Sequence, residues 1–252
     1  MTHTPGTTNQ PTTVLITGGN KGLGYEAARR LGDLGWRVLL AARDEQRGRE
    51  AVDRLTADGA DVIFVPMDVT SDASVASAVT AVSQIADRLD VLINNAGITG
   101  EQVGPLDQLI GPADTLPEHL GSVFAVNVLG PVRVTHAFLP LLRAAGDPRV
   151  VMVSSGAGSL TIASERVRPE ASVAHLMYPT SKAALNMLTL QYANGIPDVR
   201  FNLADPGFTA TDLNHHQGTQ TVTEGSDAIV ELAAASPGPT GQFRGRGGSV
   251  PW

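Results

Sequence analysis

Short apolar runs alternate with helix-length amphipathic segments along almost the whole chain, and few folds tolerate that alternation. The runs lie at 14–16, 37–42, 62–66, 91–93, 150–153 and 199–203, with Gln242-Phe243 as a short last one. Periodic segments at 23–34, 45–58, 73–89, 118–143, 178–193 and 223–235 predict helices between them, the fourth kinked at Gly130-Pro131. Most of the runs are apolar at every position, as strands are when both faces of their sheet are covered. The fold class expected is therefore α/β, a single doubly wound parallel sheet with helices on both faces. Residues 13–252 read as one domain, 1–12 as a disordered tail rich in Thr and Pro, and 100–117 as a loop rich in Gly, Pro and Asp. In such sheets ligands bind at the carboxyl ends of the strands.

Charge and composition narrow the partners. With 18 Lys and Arg against 25 Asp and Glu, the net charge is −7. That balance offers no basic patch to nucleic acid and no attraction to an anionic membrane surface. No cysteine is present, so disulfides and thiolate chemistry are excluded. No consecutive apolar run reaches membrane length, and the polar first residues do not read as a signal peptide, which makes the cytoplasm the expected location. His215 and His216 lack further well-spaced ligands, so no metal site is expected.

The first apolar run ends in Thr17-Gly18-Gly19-Asn20-Lys21-Gly22-Leu23-Gly24, and a helix follows. Glycines let the backbone turn sharply and approach a pyrophosphate, and a helix N-terminus supplies free N–H groups and a positive dipole end. Downstream, Tyr178 and Lys182 are four residues apart, so a helix sets them on one face.

Thr17-Gly18-x-x-x-Gly22-x-Gly24 resembles the cofactor turn of the short-chain dehydrogenase/reductase family. Other blocks follow in the family's order: Asn94-Asn95-Ala96-Gly97, Asn127, Ser154-Ser155, Tyr178-x-x-x-Lys182 and Pro206-Gly207. The resemblance spans about residues 13 to 245 and implies a Rossmann-like fold and an oxidoreductase moving hydride between a nicotinamide cofactor and a carbonyl or alcohol. It implies Tyr178 as proton donor, Ser155 as hydrogen-bond donor to the substrate oxygen (with Ser154 as runner-up), Lys182 on the nicotinamide ribose, and Asn127 holding a relay water. It further implies Gly18, Asn20, Gly22, Leu23 and Gly24 at the phosphates, Asp68 and Val69 beside the adenine, and Asn95, Ala96 and Gly97 at the adenosine ribose. Pro206, Gly207 and Thr209 are expected over the nicotinamide, with Phe208 and Leu213 walling the pocket. Asp68 also reads as a cap for the segment that follows it. A free tyrosine titrates near 10, and the Lys182 ammonium with the oxidised nicotinamide's charge is expected to lower it.

After the second strand stands Ala41-Ala42-Arg43, with no acid to bind a ribose 2′-hydroxyl. Arg43, joined by Lys21 from the glycine turn, can pair with a 2′-phosphate, and the expected cofactor is NADP(H). Asp44 is expected to point away from Arg43. The Asn20-Lys21-Gly22 turn and the 22 residues from 156 to 177, more than the family commonly carries there, both resemble carbonyl-reductase-like members. The added stretch includes Ser164, Glu165, Arg166, Arg168, Pro169 and Glu170 and reads as a polar excursion at the site mouth. His215, His216 and Gln217 read as a solvated lid, and His175 as a surface residue near the pocket. A homo-oligomer, dimer or tetramer, is left open. The alternatives are a non-catalytic NADP(H) sensor on the same fold, against which the Asn127, Ser155, Tyr178 and Lys182 set argues, and an S-adenosylmethionine-dependent methyltransferase, which has no use for the Tyr178–Lys182 pair.

Overall fold

A computed structural model describes residues 10–100, 110–165 and 175–252. The strands are β1 (Thr13–Thr17), β2 (Arg37–Ala42), β3 (Val62–Pro66), β4 (Val91–Asn94), β5 (Arg149–Val153), β6 (Arg200–Asp205), β7 (Phe243–Gly245) and β8 (Gly248–Ser249). They form one sheet in the order β3-β2-β1-β4-β5-β6-β7-β8. All neighbours from β3 to β7 are parallel, and β7 pairs with β8 antiparallel. Strand order reverses between β1 and β4. Diverging connections leave a crevice there at the carboxyl ends of the strands.

Helices α1 (Gly22–Asp33), α2 (Glu45–Ala57) and α9 (Asp227–Ala234) cover one face, and α3 (Asp72–Ile85), α5 (Gly130–Arg143) and α7 (Met177–Gly195) the other. Side chains along a strand point alternately to the two faces. Val14 and Ile16 accordingly pack with Ala27, Leu31, Leu55 and Ile229, whereas Leu15 packs with Phe138, Leu142, Leu185 and Phe201. Each large aliphatic side chain so buried contributes about 1.5–3 kcal/mol. Tyr192 of α7 stacks on Phe201 of β6 at 5.1 Å, which ties the later helix to the sheet.

Helix α4 (Pro117–Phe124) runs into α5 through a π-helical turn, Ala125–Leu129. The irregularity expected at Gly130-Pro131 takes the form of one wide turn that ends just before Gly130, with Pro131 in the first turn of α5. The helical run Pro117–Arg143 is long and apolar enough to cross a membrane by length and composition, while no consecutive apolar run within it reaches that length. The difference lies in the measure: average hydropathy passes although polar residues interrupt the run. Val134, Phe138 and Leu142 of this helix are fully buried against the sheet. It serves as a core helix.

Other departures are local. The last helix is broken by the buried Ser226 into α8 (Val222–Gly225) and α9. A short α6 (Leu160–Glu165) stands at the start of the added stretch, with Ser164 and Glu165 exposed, whereas Arg166, Arg168, Pro169 and Glu170 lie outside the described residues. Of the expected tail, residues 1–9 lie outside them too. Gln10 and Thr12 lie against the sheet, accepting hydrogen bonds from Arg88 and from the Arg37 N–H.

Candidate active site

The glycine turn takes its shape from what a side chain would strike. Gly18 (φ +63°) and Gly22 (φ +56°) adopt the left-handed region. At Gly24 a Cβ would stand 2.5 Å from Asn95 Nδ2 and 2.6 Å from the Gly18 carbonyl. Asn95 braces this turn: its amide donates to the Thr17 and Gly18 carbonyls at 2.9 and 3.0 Å. The Asn95 and Ala96 N–H groups donate to Thr17 Oγ1. Helices α2 and α3 are capped by Asp44 and Ser71, but the N-cap of α1, Lys21, makes no side-chain cap bond, and no acid sits in its first turn. The positive end of α1 is left for an anion.

A cleft of about 620 Å³ opens from this turn along the crevice. It is lined by Gly18, Asn20, Lys21, Gly22, Leu23, Arg43, Asp68, Val69, Asn95, Ala96, Gly97, Tyr178, Lys182 and Pro206, all expected from the sequence. Gly24, Asn127, Ser155, Gly207 and Thr209 are not among its lining residues. Asp44 accepts from Arg47 N–H as a helix cap, although it also lines the cleft. Asp68 accepts from both the N–H and the hydroxyl of Thr70, so it closes the turn ahead of α3 while bordering the cleft. Burial opposes its ionisation, but the Thr70 bonds and the charges of Arg43 and Arg133 outweigh burial and hold its carboxyl below the ordinary range. Uncapped α1, positive-φ glycines and a cleft bordered by Arg43 fit a dinucleotide carrying phosphates.

At the inner end, α7 carries Tyr178 and Lys182, and β5 delivers Ser154 and Ser155. The two serines separate clearly. Ser154 is buried and donates to Asn186 Oδ1 at 2.5 Å although it lines the cleft, whereas Ser155 accepts from Ala157 N–H at 3.2 Å and its hydroxyl acts on the Tyr178 phenol. Burial pushes the Tyr178 phenol up to about 12, with the Ser155 hydrogen bond opposing and the Asp205 carboxylate adding to the rise. The lowering expected from the sequence includes the charge of an oxidised nicotinamide; for the protein alone desolvation is the largest influence. Lys182 Nζ donates to the Val153 carbonyl at 2.8 Å and lies 5.5 Å from the Tyr178 ring centre. Burial brings Lys182 down to about 8.

Asn127 sits in the π-helical turn and is fully buried. Its Oδ1 accepts from Ile98 N–H at 2.9 Å, and its Nδ2 donates to the Ile98 carbonyl and to Ser181 Oγ. Gly97 stands between it and the lysine: a Cβ there would lie 3.4 Å from Asn127 Oδ1 and 3.7 Å from Lys182 Nζ. Thr209 is buried, and its hydroxyl donates to the Pro206 carbonyl. The cleft is lined instead by Thr211, whose methyl group faces Gly22. Leu213 lines it as expected; Phe208 does not.

The mouth holds what the sequence did not single out. Lys21 pairs with Asp212 at 2.8 Å rather than standing free, and His216 Nε2 meets the same carboxylate at 3.0 Å. His215 and His216 both adopt positive φ, 52° and 59°, at roughly 1–2 kcal/mol per residue. Arg47 lines the cleft beside Arg43. No short-range pattern marks Asp212 or Arg47, since their place depends on contacts made only in the folded chain.

Residues 12–221 match the short chain dehydrogenase family model. The chain is 30% identical to a (+)-neomenthol dehydrogenase of Capsicum annuum, over 91% of this chain and 94% of that one. Its fold is similar to salutaridine reductase from Papaver somniferum, with a TM-score of 0.79, 28% identity, and 92% and 99% of the two chains covered. It is similar also to an NADPH-bound carbonyl reductase from chicken fatty liver, with a TM-score of 0.81, 27% identity, and 96% and 100% covered. Glycine turn, strand order and Tyr178–Lys182 helix agree with these likenesses: the chain belongs to the short-chain dehydrogenase family of oxidoreductases.

Proposed function

We propose that this oxidoreductase transfers hydride between NADP(H) and the carbonyl or alcohol carbon of a small molecule, with Tyr178 giving and taking the proton. The observation that carries it is the Ser155–Tyr178–Lys182 arrangement at the inner end of a cleft that begins on the glycine turn. When bound, the cofactor supplies or accepts the hydride. The turn from Gly18 to Gly24 and the N–H groups opening α1 hold its phosphates. Arg43, with Arg47 beside it, faces the 2′-phosphate, and Asp68 and Val69 border the adenine.

Reduction leaves negative charge on the substrate oxygen. Ser155 donates a hydrogen bond to that oxygen, and Tyr178, kept protonated by burial, delivers the proton. Lys182 favours the resulting phenolate and steadies the nicotinamide ribose. Asn127, pinned to Ile98 and Ser181, orients the backbone next to Lys182 along which a relay water would sit. Gly207 and Thr209 shape the turn that carries Pro206 over the nicotinamide end. A neomenthol dehydrogenase, a salutaridine reductase and a carbonyl reductase among the similar proteins support a carbonyl/alcohol pair as substrate. The family match removes the methyltransferase alternative. A cytoplasmic location accompanies this proposal.

The test is turnover of NADPH and NADH with a panel of ketones, aldehydes and quinones, and of NADP⁺ with secondary alcohols. NADPH-dependent reduction is expected. A chain that binds NADPH yet turns over none of the panel is the non-catalytic sensor instead.

A further inference from the structure

The Lys21–Asp212 ion pair joins two walls of the cleft that are 191 residues apart in sequence. Lys21 stands at the N-cap of α1 inside the glycine turn, and Asp212 opens the short helical turn Asp212–Asn214 that follows β6. Both side chains line the cleft and both are more than half exposed. Each oxygen of the carboxylate is occupied: Oδ2 accepts from Lys21 and Oδ1 from His216. The Lys21 ammonium beside it, with His216 contributing less, holds the Asp212 carboxyl below the usual range, so it is ionised at neutral pH.

A lysine is a compact charge on a flexible stem, and one ammonium cannot serve two anions on opposite sides at full strength. The other charged groups at this mouth do not replace Asp212 as its partner. Asp44 caps α2 and is met by Arg47 at 3.5 Å, and Asp68 is spent on Thr70. Asp212 is also the anchor of its segment, which runs through two successive left-handed histidines.

We propose that Asp212 is a specificity-determining residue that acts through Lys21. Its carboxylate competes with the additional phosphate of NADP(H) for the lysine ammonium, so that docking of that phosphate and release of the 211–217 segment are coupled. The inference rests on the NADP(H) function proposed above. NAD(H) lacks the additional phosphate and leaves the pair intact. Asp212 therefore moderates a preference that Arg43 alone would make steeper.

The test is a double-mutant cycle on dissociation constants for NADPH and NADH, read by nucleotide fluorescence, in the unaltered chain, Asp212→Asn, Lys21→Met and the double variant. Both positions are exposed, and equal melting temperatures check that each variant is folded. Asp212→Asn is expected to tighten NADPH about fivefold, about 1 kcal/mol, and to leave NADH within about twofold. On the Lys21→Met background the gain disappears. The same NADPH gain with and without Lys21 overturns the inference, because bulk charge then suffices. Weaker NADPH binding by Asp212→Asn overturns it too, since the carboxylate would then help hold the dinucleotide. Failure of the unaltered chain to bind NADPH more tightly than NADH overturns the NADP(H) function itself, a result seen before any substitution is made.

Discussion

The inner end of the cleft and its mouth are built on opposite principles. At the inner end Asn127 and Lys182 are 0% and 4% exposed, and their polar atoms are spent on Ile98, Ser181 and Val153. Breaking a buried hydrogen bond costs the full desolvation of the partner left behind. At the mouth, Lys21 and Asp212 are 58% and 55% exposed, and such a pair is worth less than about 1 kcal/mol. Burial fixes Asn127 and Lys182 behind the half-buried Tyr178 and Ser155, while exposure leaves the groups proposed to read the cofactor free to exchange partners. Chemistry and recognition can then be altered separately along one cleft.

Substitutions test that division, beginning with the largest effect. Tyr178→Phe is expected to lower kcat about 10³-fold while the NADPH dissociation constant stays within about threefold of its starting value. Turnover that survives the change removes Tyr178 as proton donor. Arg43→Ala is expected to weaken NADPH about 30-fold, the worth of hydrogen bonds to a charged group, and NADH hardly at all. Equal losses for the two dinucleotides would take Arg43 away from the 2′-phosphate.

Gly158→Ala probes the packing behind the inner end. A Cβ there would fall 2.6 Å from the Lys182 carbonyl carbon and 2.8 Å from Ala183 N, backbone that cannot step aside. A loss of about 1–3 kcal/mol in denaturant unfolding is expected, whereas Gly146→Ala, with nothing within 4 Å, is the neutral control. A tolerated Gly158→Ala would show the inner end to be softer than its hydrogen bonds suggest.

The remaining effect is a slope in pH. Lys182 is lowered to about 8 by burial, so between about 8 and its ordinary 10.5 the unfolded chain binds more protons than the folded one. Stability contributed at this position rises with pH through that window, by at most about 1.4 kcal/mol per unit. Tyr178, raised to about 12, acts oppositely above about 10, where the unfolded chain loses its phenolic proton first. Lys182→Met should flatten the slope of unfolding free energy between pH 8 and 10. An unchanged slope would mean that Lys182 is not desolvated.

Seven strands and the phosphate turn were legible in the sequence because their signals are local: apolar runs such as Val150–Val153 and glycines two and four residues apart. The same holds for Tyr178 and Lys182, which one helical turn brings together. The antiparallel β8 was not legible, since Gly248 and Ser249 carry no apolar pattern and pair only through Phe243–Gly245. Nor was the partner of Lys21, because Asp212 reaches it only after β6 has crossed the sheet. Thr209 was expected at the nicotinamide and proved to be buried with its hydroxyl on Pro206, while Thr211, two residues on, lines the cleft. Spacing located the turn but not which of its threonines faces inward.

The π-helical turn at Ala125–Leu129 holds one residue more than an α-helix of the same span would. Removing a single codon there would let the helix relax into a regular spiral, a gain in backbone geometry, and would swing Asn127 by roughly 100° away from Ile98 and Ser181. The wide turn thus places Asn127 against Ile98 and Ser181 at the expense of regular helix geometry.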